Sequence, residues 1–532
     1  MKEITSSKLI IITSVFITIF GNFTFFSNIL DVYPISLKNG LFLLSLPVLF
    51  GSVTVILLSL ACYKYTIKPV LITVLLVSSS SAYFMDSYHV IIDDSMIDNI
   101  VNTDIGESLD LISIKLFFYF LFLGVVPSAL IYKVKIRYSP TLTSASFYKL
   151  RLIGFSIAIV ILLVIVFGGF YASFFREHKP LRFYANPSYY LYSIGKYASK
   201  FYQSALKPVN QIGLDAKIPA SDEDRELIIL VVGETARADH FSLNGYERQT
   251  NPRLEKEDII SFRNFSACGT STAISVPCMF SMYDRSDYSK GKADTTENVL
   301  DVLQRAGVNV IWLDNNSSSK GVATRIPNES YKGADKNPVC DIECRDVGML
   351  ENLQDYIDEH PRGDIFIVLH QMGNHGPAYF KRYPKQFEKF LPTCQTNQLE
   401  DCTQEEIINA YDNAILYTDY FLSKTIELLI SNANKFESAL FYVSDHGESL
   451  GENNLYLHGL PYLFAPDTQT KVPVIMWFGG EIQDEVNFSS LKENINNKYS
   501  HDNVFHTILG LMEVQTTFYD KDMDLIIHNE DD

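Results

Sequence analysis

The sequence predicts a five-helix membrane anchor followed by a soluble α/β domain built on a mainly parallel sheet. Three observations predict it. Five long apolar runs crowd the first third of the 532 residues, and charge divides between the two parts of the chain. The second part repeats short apolar runs without alternation, separated by helical stretches, as strands buried on both faces require. A chain this long exceeds one ordinary domain.

The anchor comes first. Its runs are Leu9–Leu30, Leu41–Cys62, Val70–Met85, Leu116–Tyr132 and Leu152–Ala172. The third is the shortest for a hydrocarbon core that needs roughly 20 residues; it is retained because the flanking charges demand an odd number of crossings. Lys2, Lys8, Lys64, Lys68, Lys133, Lys135, Arg137, Lys149 and Arg151 fall on one side if all five cross. The long intervening loop is acidic, with Asp86, Asp93, Asp94, Asp98, Asp104, Glu107 and Asp110. The positive-inside rule then puts the N-terminus in the cytoplasm and everything after Ala172 outside. The first run is too long, and lacks the small-x-small site, for a cleaved signal peptide.

Charge and cysteine usage agree with that topology. Residues 1–214 carry 17 Lys and Arg against 10 Asp and Glu, and the remainder 27 against 52, within an overall charge of -18. An acidic soluble part argues against nucleic acid as a partner. Cys62 lies at a membrane edge. The other six cysteines fall into close pairs, Cys268 with Cys278, Cys340 with Cys344 and Cys394 with Cys402, which read as three disulfides in an oxidising compartment. The Cys340–Cys344 spacing is the tightest, yet a span of four can meet disulfide geometry.

The expected boundaries are 1–172 for the anchor, 173–224 for a bridging arm and linker, and 225–532 for the soluble domain. The arm is dense in Tyr and Phe with Arg176, Lys179, Arg182, Lys196 and Lys200, a composition that favours the headgroup zone. From Glu226 onward the predicted strands are LIILVV (227–232), VNVIWL (308–313), IFIVLH (365–370), ALFYVS (439–444) and PVIMWF (473–478).

Ligands of open parallel sheets gather beyond the carboxyl ends of the strands. LIILVV is followed by Gly233-Glu234-Thr235 and VNVIWL by Asp314-Asn315-Asn316. IFIVLH carries His370, read as structural, and leads to His375; ALFYVS leads to Asp445-His446-Gly447, with His458 soon after. Carboxylates mixed with imidazole suit a hard-to-borderline divalent cation, zinc or manganese. An Asp-His-Gly triplet arises by chance, but four such residues at four strand ends are harder to dismiss.

The stretch CGTSTAISVPC (268–278) adds a second feature. Small residues ahead of Pro-Cys and an apolar run start a helix, whose N-terminal amides favour a phosphate. A hydroxyl there could bind the cation, lose its proton and attack phosphorus. Thr270, Ser271, Thr272 and Ser275 are all candidates on spacing alone, and a Cys268–Cys278 bridge would either fix the reactive loop or simply staple a surface one.

The strings VVGETARADH (231–240), CGTSTAISVPCMFS (268–281), LHQMGNHGPAYFKRYP (369–384) and SDHGESLGE (444–452), with LHG at 457–459, resemble the phosphoethanolamine transferases that decorate lipid A. That family includes the mobile colistin resistance enzymes, and the likeness runs through most of the chain. It implies a soluble domain of alkaline phosphatase/sulfatase type, with Thr272 as nucleophile and Glu234, Asp445 and His446 holding a zinc together with the Thr272 oxygen. His375 and His458 would sit opposite, handling the substrate phosphate, or a second zinc during catalysis, and the leaving or entering oxygen. Lys320, Asn316 and Ser317 match positions near the donor phosphate. Asn99, Thr103 and Glu107 match positions around the ethanolamine head.

The activity so implied is transfer of phosphoethanolamine from phosphatidylethanolamine to a phosphate of lipid A through a phosphothreonine, releasing diacylglycerol and lowering susceptibility to polymyxins. The enzyme would work as a monomer among the lipids of a Gram-negative inner membrane, with its catalytic domain in the periplasm. The alternatives are transfer to a core sugar of lipopolysaccharide, glycerophosphate transfer by a related superfamily member, and a catalytically dead membrane sensor. The disulfides and the CGTST string argue against glycerophosphate transfer; intact Glu234, Thr272, Asp445 and His446 argue against the sensor.

Overall fold

The computed structural model describes residues 3–102, 105–176, 178–205, 208–220, 224–480, 482 and 486–527. The chain divides into two compact units, Met1–Ile97 with Ile112–Ala198, and Asp98–Leu111 with Ser199–Asp532. The acidic segment 98–111 thus groups with the sheet unit, and most of the aromatic arm with the helical one.

In the helical unit, Ser6–Phe20 (α1) and Phe23–Val32 (α2) form a pair bent by 57°, followed by Gly40–Ala61 (α3), Ile67–Tyr88 (α4), Ile114–Lys133 (α5) and Leu142–Val166 (α6). The last four are each long and apolar enough to cross a membrane, and the bent pair makes a fifth if it counts as one span. The run Leu9–Leu30, expected as a single helix, breaks at Gly21-Asn22 for a physical reason. The Asn22 amide donates to the Ile17 carbonyl at 3.0 Å and to the Asn186 carbonyl at 2.8 Å, and its oxygen accepts from the Asn186 N–H at 2.8 Å. A side-chain amide that takes up freed backbone groups is a recognised cause of a kink. The short third run lengthens to the 22 residues of α4. The fifth starts earlier than expected because Thr141 and Ser144 form a capping box.

The sheet unit holds an eight-stranded sheet. Its strands are Glu226–Gly233 (β1), Ile259–Ser266 (β2), Asn309–Asp314 (β3), Asn328–Ser330 (β4), Ile365–His370 (β5), Glu437–Ser444 (β6), Lys471–Gly479 (β7) and Tyr499–Ser500 (β8), in the order β8-β2-β7-β6-β1-β5-β3-β4. All five predicted strands are present, and β1, β5 and β6 are buried at every position. β7 is the exception to the expected direction, since it runs antiparallel to both β6 and β2. Its register against β2 shifts between Val472 and Val474, around Pro473, which has no N–H to give the ladder.

One face of the sheet packs Ile228, Leu230 and Val232 against Val276 and Met279 of the short helix Thr272–Met279 (α7) and against Ile508 and Leu509. Each fully buried aliphatic side chain contributes about 1.5–3 kcal/mol relative to exposure. The long helix Gln404–Asn432 (α8) packs against β6. The parallel register places Gly233 opposite Ser444, Val232 opposite His370, and His370 opposite Asp314. Four strand ends therefore finish in one row, and whatever follows them converges.

Candidate active site

Glu234, Asp445 and His446 follow two adjacent strand ends, and their ligand atoms lie within 4.8 Å of one another, all buried. Gly233 lets β1 approach β6 closely, since a Cβ there would meet the Tyr442 ring at 2.6 Å. Thr235 has φ of 51°, a left-handed conformation that non-glycine residues hold only where the surroundings enforce it. Its N–H donates to Asp445 Oδ1 at 3.1 Å, so the strained turn is tied to the neighbouring carboxylate.

The remaining valences point inward. Asp445 Oδ1 also accepts from the His446 N–H at 2.7 Å, while Oδ2 has no partner among the described residues. An unpaired buried oxygen of this kind costs about 1–3 kcal/mol, which a cation would offset. His446 Nδ1 lies 2.9 Å from the Gly447 carbonyl and must carry the proton, so Nε2 presents its lone pair. That atom lies 3.3 Å from Asp445 Oδ2 and 3.5 Å from Glu234 Oε1. Burial first, and then His458, hold the His446 imidazole well below its ordinary pKa, which keeps it neutral as a ligand must be. Burial raises the Asp445 carboxyl to about 6 against the backbone N–H bonds that lower it.

The four hydroxyls left open by spacing have different partners. Thr270 Oγ1 donates to the Leu460 carbonyl at 2.6 Å, and Ser275 Oγ accepts from the Gly269 N–H at 2.9 Å. Ser271 is the N-cap of α7. Thr272, the first helical residue, places Oγ1 at 3.2 Å from both oxygens of Glu234 and 3.5 Å from His446 Nε2. The Cys268–Cys278 disulfide closes this loop, and Cys340–Cys344 and Cys394–Cys402 are also bridged.

On the opposite side, the His458 and His446 ring centroids are 4.3 Å apart, and those of His375 and His458 are 5.8 Å apart. His458 Nδ1 faces Glu448 Oε1 at 3.2 Å. His375 Nδ1 is buried without a partner among the described residues, and burial followed by His458 holds the ring well below its ordinary pKa. Asn316 donates to Glu234 Oε2 and to the Gln371 carbonyl, both at 2.7 Å. Ser317 turns its hydroxyl to Asn316 Oδ1, and the Lys320 ammonium donates to Ser317. Asp314 does not join the cluster, because its Oδ2 pairs with His370 Nδ1 at 3.1 Å and accepts from Trp312 Nε1.

Asn99 lies half-buried on the helix Asp94–Asn102. Thr103 and the Glu107 side chain lie outside the described residues. Reading by residue type missed Glu448 and His501. Glu448 had a signal, three residues beyond Asp445 in the same string, but His501 had none.

Two family profiles match the chain, "Phosphoethanolamine transferase EptA/EptB" over residues 50–202 and "Sulfatase" over residues 226–514. The Mcr-1 phosphatidylethanolamine transferase of Escherichia coli is 45% identical over 489 residues, 90% of each chain. The phosphoethanolamine transferase EptA of Salmonella typhimurium is 41% identical over 525 residues, covering 97% of this chain and 96% of that one. Among solved structures, the integral membrane lipooligosaccharide phosphoethanolamine transferase A of Neisseria meningitidis superposes with a TM-score of 0.94 at 35% identity, over 99% of both chains. Likeness at this level across both units, anchor and sheet together, makes the chain a member of the phosphoethanolamine transferase family.

Proposed function

We propose that the protein moves phosphoethanolamine from phosphatidylethanolamine to a phosphate of lipid A in two displacements through Thr272, on the periplasmic face of a Gram-negative inner membrane with the N-terminus in the cytoplasm. The observation that carries this reading is the Thr272 hydroxyl, held at 3.2 Å from both oxygens of Glu234 beside the unpaired Asp445 Oδ2 and the His446 Nε2 lone pair. Two carboxylates, a neutral imidazole and a hydroxyl within a few ångströms fit zinc in a catalytic coordination. When bound there, zinc supplies Lewis-acid stabilisation of negative charge on the hydroxyl oxygen and on the phosphoryl group.

The chain's own residues do the rest. In the first step the Thr272 oxygen forms a bond to phosphorus and the phosphorus–oxygen bond to diacylglycerol breaks; the Thr272 proton ends on the departing alcohol. His375 or His458 carries that proton to the leaving oxygen. In the second step an oxygen of a lipid A hydrogenphosphate forms a bond to that phosphorus, the phosphorus–oxygen bond to Thr272 breaks, and the acceptor's proton passes to the Thr272 oxygen. Asn316 keeps Glu234 oriented, while Lys320 and Ser317 bind phosphate oxygens. Asn99, Thr103 and Glu107 receive the ethanolamine ammonium. The added ammonium offsets surface charge, so cationic polymyxins bind less well.

The test is mass spectrometry of the full-length protein in detergent and of its tryptic peptides after incubation with phosphatidylethanolamine, beside Thr272→Ala. A phosphoethanolamine adduct on Thr272, absent from the variant, is the expected result. An adduct that persists in Thr272→Ala would assign the chemistry to another hydroxyl, and none on zinc-loaded wild type would remove this donor.

A further inference from the structure

His501 belongs to no strand-end cluster and to none of the motifs, yet its position is unusual. The two-residue strand β8 pairs with β2 so that Ser500 lies opposite Ser266, two residues before Cys268. Ser500 and Asn503 form a capping box around the turn His501–Asn503, which fixes the imidazole where the β2 chain leaves the sheet. The ring is 1% exposed. Its Nδ1 accepts from the Cys268 N–H at 3.0 Å, and its Nε2 lies 3.0 Å from the Ser444 carbonyl. Because Cys268 can only donate and the carbonyl can only accept, one neutral tautomer satisfies both, protonated at Nε2.

Those two backbone groups belong to different halves of the site. Cys268 opens the loop that carries Thr272, and its disulfide partner Cys278 closes that loop. Ser444 ends β6 directly before Asp445; its hydroxyl donates to the His446 carbonyl at 3.1 Å and accepts from the Ala236 N–H at 2.9 Å. β2 and β6 are not sheet neighbours, since β7 separates them, so the ladder alone does not set the distance between their ends.

We infer that His501 is a positioning residue that holds the Thr272 loop and the Asp445–His446 corner at one spacing through a single imidazole. It touches neither substrate nor reacting atoms. The inference rests on the reading of Thr272 as nucleophile and of Asp445–His446 as zinc ligands. Each ring nitrogen serves one half, so the two halves can be released separately. The oxygen of an asparagine at 501 mimics Nδ1 and keeps the Cys268 bond alone. The amide nitrogen of a glutamine mimics Nε2 and keeps the Ser444 bond alone.

The experiment uses the full chain in detergent with two readouts, the rate of adduct formation on Thr272 at saturating zinc and the zinc affinity by chelator competition. His501→Asn is expected to form adduct within about threefold of wild type while its zinc affinity falls about tenfold. His501→Gln is expected to keep zinc affinity within about threefold while adduct formation falls about tenfold. Folded variants that lose both properties together, or neither, would reduce His501 to a buried core residue and overturn the inference. Should either variant fail to fold, the imidazole nitrogen resonances of the wild type decide the matter. A neutral ring protonated at Nε2, unchanged by zinc, is required, and a charged or Nδ1-protonated ring overturns the inference. Absence of any adduct on the wild type would sink the nucleophile reading instead, leaving the zinc arm of the comparison readable.

Discussion

The two sides of the site differ in how their polar atoms are held. At the carboxylate corner, Glu234 receives Asn316 at 2.7 Å and Thr272 at 3.2 Å, and Asp445 Oδ1 is pinned by two backbone N–H groups. One inward oxygen is left over. On the histidine side, His375 keeps a buried Nδ1 with no partner among the described residues, and His458 Nδ1 faces the Glu448 carboxylate. The first arrangement suits a fixed charge held in one geometry, as preorganised electrostatics requires. The second suits groups that gain and lose protons as substrate arrives. Substitutions on the two sides should therefore fail in different ways.

The largest effect belongs to the atom the two sides share. Thr272→Ala should abolish adduct formation and lower turnover by roughly 10⁴-fold or more, by analogy with the loss of other nucleophiles, while zinc remains measurable on the Glu234, Asp445 and His446 ligands. Complete loss of zinc in that variant would mean that the hydroxyl is a ligand first and a nucleophile second, and would blur the comparison.

Next come the histidines. His375→Ala and His458→Ala should each lower turnover by about 10²–10⁴-fold, the range for general acid–base groups, with zinc content unchanged. If either variant arrives depleted of zinc, that histidine belongs to the metal corner and the two-sided description breaks. A smaller and opposite pattern is expected for Asn316→Ala. It removes the bond that orients Glu234 without touching substrate directly at that oxygen, so zinc affinity should fall about 10–100-fold. Added zinc should then recover most of the activity.

The same contrast explains what the sequence could disclose. In the helical unit the spans are set by run length and composition, while buried hydroxyls such as Thr24, which bonds Met85 and Asp86 of another helix, tie the spans together. The kink at Asn22 escaped because its partner, Asn186, lies far along the chain. In the sheet unit, strand-end residues were legible because a parallel sheet aligns its carboxyl ends wherever the strands fall in sequence. Glu234, Asp445 and His446 converge for that reason. Which of the four hydroxyls lies beside Glu234 was not legible from spacing, since it depends on the side of a single helical turn; it is that of Thr272. The direction of β7 was missed because a fully buried strand reads the same in either direction.

His501 is the extreme case, bonded across more than two hundred positions to Cys268, and it offers the subtlest test. Burial holds its ring down at about 4, against an ordinary value near 6.5. A depressed pKa of this kind contributes stability that is fully present above pH 6.5 and is lost as pH falls toward 4. Between pH 7 and pH 5 the loss amounts to about 2 kcal/mol. Both tryptophans, Trp312 and Trp477, lie in the sheet unit, so tryptophan fluorescence during thermal unfolding reports on that unit alone. Wild type should lose more stability than His501→Asn on moving from pH 7 to pH 5, because only the wild type has an imidazole to protonate between Cys268 and Ser444. The comparison is made on both proteins after treatment with a chelator, so that metal release does not enter the difference. An equal loss in both would show that the ring is already free to take up a proton in the folded state, and the link between the Thr272 loop and the carboxylate corner would then be looser than its two 3.0 Å bonds imply.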